Sequence, residues 1–101
     1  GFNGLQLSGS GQTIRGLSLT NFDNAIITLA GSSTATIQCN YLGLLANGTS
    51  SGNTRGVLVR GASARIGGLD AGQGNVISAS SIAGVVTEQG STDTAIRGNL
   101  I

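Results

Sequence analysis

Short apolar runs recur along this chain, and each one opens on a small residue. Gly4-Leu5-Gln6-Leu7, Ala25-Ile26-Ile27-Thr28, Gly56-Val57-Leu58-Val59 and Gly84-Val85-Val86-Thr87 are four copies of one phrase. Ten to twelve residues later comes a second phrase: an Ile, any residue, a small residue, then Asn or Leu, any residue and an apolar position. Its copies are Ile14-Arg15-Gly16-Leu17-Ser18-Leu19, Ile37-Gln38-Cys39-Asn40-Tyr41-Leu42 and Ile96-Arg97-Gly98-Asn99-Leu100-Ile101, with a split copy in Ile66-Gly67-Gly68 and Asn75-Val76-Ile77.

Each run is too short for a helix, is rich in β-branched residues and alternates apolar with polar or small positions, so each reads as a strand. The coils begin near 4, 25, 56 and 84, and insertions at 43–55 and 69–74 account for the longer spacings. Strands this short bury nothing alone. Stacked in parallel on their equivalents, about 4.8 Å apart, they enclose a core. Ile14, Ile37, Ile66 and Ile96 form one expected inward stack, Leu5, Ile26, Val57 and Val85 another, and Leu19, Leu42, Ile77 and Ile101 a third. Three stacks imply three sheets. The expected fold is all-β, a right-handed parallel β-helix of about four coils, forming a single segment over residues 1–101.

Asn40, Asn75 and Asn99 share one position just before the third strand, and Leu17 replaces them in the first coil. Asn tolerates left-handed backbone, and its amide can bond the same amide one coil away. A structural Asn ladder is therefore expected in that turn. An antiparallel sandwich has no reason to repeat equivalent positions, and a left-handed hexapeptide solenoid would need a strict period of six, which is absent.

The cadence Asn40-Tyr41-Leu42-Gly43, Asn53-Thr54-Arg55-Gly56-Val57, Ile66-Gly67-Gly68, Gly74-Asn75-Val76-Ile77-Ser78 and Gly98-Asn99-Leu100-Ile101 resembles the pectate-lyase-like parallel β-helix repeats of large exported bacterial proteins. The resemblance covers nearly the whole chain and is strongest over 37–101. It implies the fold. It leaves activity open, because related coils serve lyases, hydrolases, tailspikes, adhesins and plain surface proteins.

Composition narrows the chemistry. Five Arg, no Lys and four acidic residues give a net charge of +1, and the basic residues are scattered, so nucleic acid is not an expected partner. The longest apolar runs fall far below the roughly 20 residues of a membrane-spanning helix. With no His, a Ser-His-Asp triad is excluded. The one cysteine, Cys39, can form no internal disulfide, and it aligns with Gly16, Gly68 and Gly98. It is expected to be a small buried side chain that resists thiol reagents. No metal or cofactor is expected.

For the lyase class the resemblance implies clustered carboxylates holding calcium, which wants six or more oxygens. The acidic residues are Asp23, Asp70, Glu88 and Asp93, and only Glu88 and Asp93 share a turn. Those two are also the sole candidates for a glycosidase pair, although the Gly/Ser/Thr-rich sequence around them suits a solvated turn. Tyr41 is expected to point outward. With Glu88 and Asp93 it marks the surface that could meet a ligand, carbohydrate being the class considered. Thr20, Thr28, Thr36 and Thr87 do not form the flat regular array that ice binding needs. Asn47-Gly48-Thr49 fits a glycosylation sequon, but Asn-Gly more plainly makes a turn.

The sequence thus points to a non-catalytic structural or interaction segment of an exported or cell-surface β-helix protein, cut from a longer chain. The alternative is an inactive fragment of a polysaccharide lyase or glycoside hydrolase, or a carbohydrate-binding surface. No capping helix, Pro or charged blocker stands at either end, so self-association through the open coil ends is expected.

Overall fold

The computed structural model describes residues 2–45, 47, 49, 51–68, 70, 72–88, 91 and 93–100. Eleven strands follow one another with no helix among the described residues: β1 (Asn3–Leu7), β2 (Thr13–Arg15), β3 (Ser18–Leu19), β4 (Asn24–Thr28), β5 (Thr36–Gln38), β6 (Tyr41–Leu42), β7 (Arg55–Val59), β8 (Arg65–Gly67), β9 (Val76–Ile77), β10 (Ala83–Thr87) and β11 (Ala95–Arg97). Every third strand joins the same sheet. The first sheet runs β1-β4-β7-β10, the second β2-β5-β8-β11 and the third β3-β6-β9. All pairings are parallel. The chain is a three-sheet parallel β-helix.

The register shows why the phrases recur. Leu5 pairs with Ile26, Ile26 with Val57 and Val57 with Val85. Ile14, Ile37, Ile66 and Ile96 align in the second sheet, and Leu19, Leu42 and Ile77 in the third. Ile101, expected to extend that last stack, lies outside the described residues. The inward side chains meet in one core of Leu7, Ile26, Ile37, Leu42, Val57, Val59, Ile66 and Ile77, with Ala25, Ala35 and Ala64 filling the corners. The middle coils hold most of it, since a coil covered on both sides loses water from both edges.

The small residue that opens each first strand has a steric cause. A Cβ added at Gly56 would stand 2.7 Å from Ile77 Cγ2 and 2.5 Å from the Gly84 carbonyl oxygen. One sheet's strand start thus packs directly beneath another sheet's inward Ile, which leaves no room for a larger side chain. Thr28 is a polar member of the inward column Leu7–Thr28–Val59–Thr87. It is fully buried, and its hydroxyl accepts the Arg60 and Gly61 backbone N–H groups at 3.1 and 3.2 Å. The alcohol is tolerated because it supplies the next coil's turn with an acceptor.

Cys39 departs from the sequence expectation. It is exposed and takes φ +57°, as Gly16 and Gly98 take +73° and +67°. A Cβ at Gly16 would meet nothing within 4 Å, whereas one at Gly98 would stand 2.1 Å from the Gly68 carbonyl oxygen, yet at Cys39 the side chain is exposed. The alignment with glycine reflects a left-handed turn position and not a tight interior, so substitution by a larger side chain would not overpack the core. In the third coil the left-handed residue is Gly67, at φ +85°, one place before the aligned Gly68, because the insertion begins there. A non-Gly residue held left-handed is strained by about 1–2 kcal/mol. Cys39→Gly should therefore raise stability by up to about 1 kcal/mol after the added freedom of the unfolded chain is deducted. Urea unfolding of the two proteins measures this, and native Cys39 should react with a thiol reagent before unfolding.

Candidate functional site

The buried asparagines form the polar spine of the coil. Asn40 Nδ2 donates to Asn75 Oδ1 at 3.0 Å, and Asn75 Nδ2 to Asn99 Oδ1 at 2.9 Å. Each Oδ1 also accepts a backbone N–H from the coil before: Leu17 to Asn40, Asn40 to Asn75 and Asn75 to Asn99. Each Nδ2 also donates to a carbonyl of that earlier coil, on Ile14, Ile37 and Ile66 in turn. Asn40 and Asn75 are fully buried, at 0% and 1% exposure. At this turn the backbone bends away from the sheet ladder, and the side-chain amide substitutes for the missing partner strand. Leu17 offers no amide, yet its N–H is still satisfied from above.

A second corner uses the same device. Asn53 is buried, accepts the Phe22 N–H at 2.9 Å through Oδ1, and donates to the Leu19 carbonyl at 3.0 Å through Nδ2. Sequence reasoning did not single it out, because one Asn in one coil has no repeat to reveal it. Asn3 and Asn24, paired at the start of β1 and β4, bond side chain to side chain at 2.8 Å.

The remaining candidates are dispersed. Tyr41 is 43% exposed, on the outer face of the third sheet beside Leu17 and Cys39. Glu88 forms an ion pair with Arg60 across the outer face of the first sheet. Asp93 lies on the far side of the same turn and lines a hollow on the second sheet. Asp70 is exposed in the 69–74 insertion. Tyr41, Glu88 and Asp93 therefore share no site. Among the described residues no three of the His, Cys, Asp and Glu side chains come together as a metal would require. Thr49 N–H bonds Asn47 Oδ1 at 3.0 Å, a local Asn-capped turn.

A hollow of about 430 Å³ on the second sheet is one the sequence did not foretell. Gly67, itself buried, and the half-buried Gly68 contribute to its lining. Gln38 reaches over from β5 to donate to the Gly67 carbonyl at 3.2 Å, and Gln73 of the insertion accepts the Asp70 N–H, which holds its amide over Gly68. Arg65 and Arg97 stand on its flanks, both exposed, and neither is paired with a carboxylate of the described residues.

The arrangement defines a parallel β-solenoid with an amide-stapled interior. No protein-family model matches the chain, and no curated protein or solved structure matches it either. No helix among the described residues is long and apolar enough to cross a membrane.

Asn75 is the central rung, so Asn75→Ala should cost about 1–3 kcal/mol by leaving amide partners unsatisfied in the interior. Asn53→Ala should cost a similar amount, whereas exposed Asn47→Ala should change stability by no more than about 0.5 kcal/mol. Equal losses at all three sites in denaturant titrations would contradict a special role for the corners.

Proposed function

We propose that this chain is a non-catalytic structural or interaction segment of an exported or cell-surface β-helix protein. The observation that carries the reading is the use made of its polar side chains. The most deeply buried ones, Asn40, Asn53, Asn75 and Thr28, are spent on coil-to-coil hydrogen bonds. Glu88 is spent on Arg60 and lines a different hollow from Asp93, which supports a role without catalysis. What the fold offers is a rigid stack with long outer faces, suited to spacing and contact. Fractionation and protease shaving of cells making the full-length protein should find it outside the membrane barrier. Incubating the chain with a panel of neutral and acidic polysaccharides should release no reducing ends and no unsaturated uronates. Product release would overturn the reading.

Self-association through the coil ends belongs to the same proposal. The outer strands β1 and β2 at one end and β10 and β11 at the other each pair on one side only among the described residues. Phe2 and Leu100 there are 82% and 69% exposed. A head-to-tail stack in continued register would bring Arg97 beside Arg15 and place Leu17, which has no amide, over Asn99. The contact is therefore weak and opposed by like charge, and added salt should strengthen it. Sedimentation should show oligomers that grow with concentration and with salt, and Arg97→Thr should favour them further. A strict monomer under all conditions would rule out end-to-end pairing.

A further inference from the structure

The hollow on the second sheet has the features of a recognition site. The sheet register places Arg65 opposite Ala95 and Arg97 opposite Gly67, so the two arginines sit on adjacent strands, two residues apart along them. Strand spacing and rise put their Cα atoms about 8 Å apart on the diagonal. Arg15 continues the Arg97 column on β2, beyond Gln38 and Gly67. Two arginines, Arg65 and Arg97, line the hollow against one described carboxylate, Asp93. Arginine meets carboxylates as a planar fork of two parallel hydrogen bonds. The side-chain amides of Gln38 and Gln73 line the same hollow over Gly67 and Gly68 and add polar groups beside the two arginines.

We infer that this hollow binds an extended acidic peptide, with two carboxylates in an acid-x-acid pattern received by Arg65 and Arg97. In an extended chain, side chains two residues apart share a face at about 6.6–6.8 Å, which the flexible arginines span readily. The glutamine amides match the peptide backbone between those two acids. No aromatic ring lines the hollow to take the apolar face of a sugar, which favours peptide over acidic glycan. The inference rests on the interaction reading above. Product release from a polysaccharide would overturn that reading, whereas loss of peptide binding without product release removes the ligand class alone.

The test uses the whole 101-residue chain and a fluorescein-labelled hexapeptide centred on Glu-Ala-Glu, followed by anisotropy at low ionic strength. Binding should weaken steeply with salt and should vanish when both Glu are replaced by Gln. Arg65→Gln and Arg97→Gln should each weaken it at least about tenfold, with unchanged circular dichroism spectra. Arg60→Gln, on the first sheet, should leave it unaltered. Gln38→Ala should weaken it by a smaller factor without altering its salt dependence. No binding, equal binding of the Gln-Ala-Gln peptide, or equal loss in Arg60→Gln would overturn the proposal. So would binding of an oligouronate in place of the peptide.

Discussion

A coil of between 21 and 31 residues has to turn three times, and at each turn the backbone leaves the sheet whose ladder satisfies its N–H and C=O groups. Buried groups left unbonded there would cost about 1–3 kcal/mol each, a large share of a domain's stability. The chain solves this at its tightest corner with asparagine. One side-chain amide accepts from the coil before it through oxygen and donates back through nitrogen, so a single residue mimics a peptide group of the missing strand. Because each amide also touches the next, the spine fixes the coil-to-coil register from inside. The inward Ile and Leu columns then stack in phase and close the core.

That solution constrains what the surface can do. Side chains inside the coil are committed to packing or corner bonding, so any contact with another molecule falls to the outward positions of the sheets and to the insertions. The first sheet's outer face carries the Arg60–Glu88 pair over Leu58 and Val86. On the second sheet's outer face Arg65 and Arg97 form no ion pair with a described carboxylate and line a hollow with Gln38 and Gln73. A contrast between two faces of one solenoid comes from single outward residues, which the fold itself does not specify. This is why a β-helix can be read without its partner being read.

The cases of Cys39 and Asn53 show where sequence comparison within the chain loses information. Cys39 aligned with glycines, and a shared small residue has two physical causes, crowding and a left-handed backbone. Only the φ of +57° separated them, and it moved the thiol from the interior to the surface. Asn53 caps a corner as Asn40 does, yet it stands opposite Phe22 and Ser81 in the register of the neighbouring coils and so left no repeat to notice. Glu88 and Asp93 are close in sequence, but Glu88 pairs with Arg60 while Asp93 lines the hollow with Arg65 and Arg97, so sequence proximity was a poor guide to shared surroundings.

Hydrophobic period, strand length and the recurrence of equivalent positions were sufficient by themselves for the parallel coil, its three inward columns and the turn carrying Asn40, Asn75 and Asn99. Those features arise from local geometry repeated, and repetition is visible in one dimension. The hollow between Arg65 and Arg97 was decided only in three dimensions. Its lining comes from three coils and an insertion, and its charge from two arginines that form no ion pair with a described carboxylate. Such a site depends on which residues neighbouring coils bring side by side, and that juxtaposition exists only once the coils have stacked.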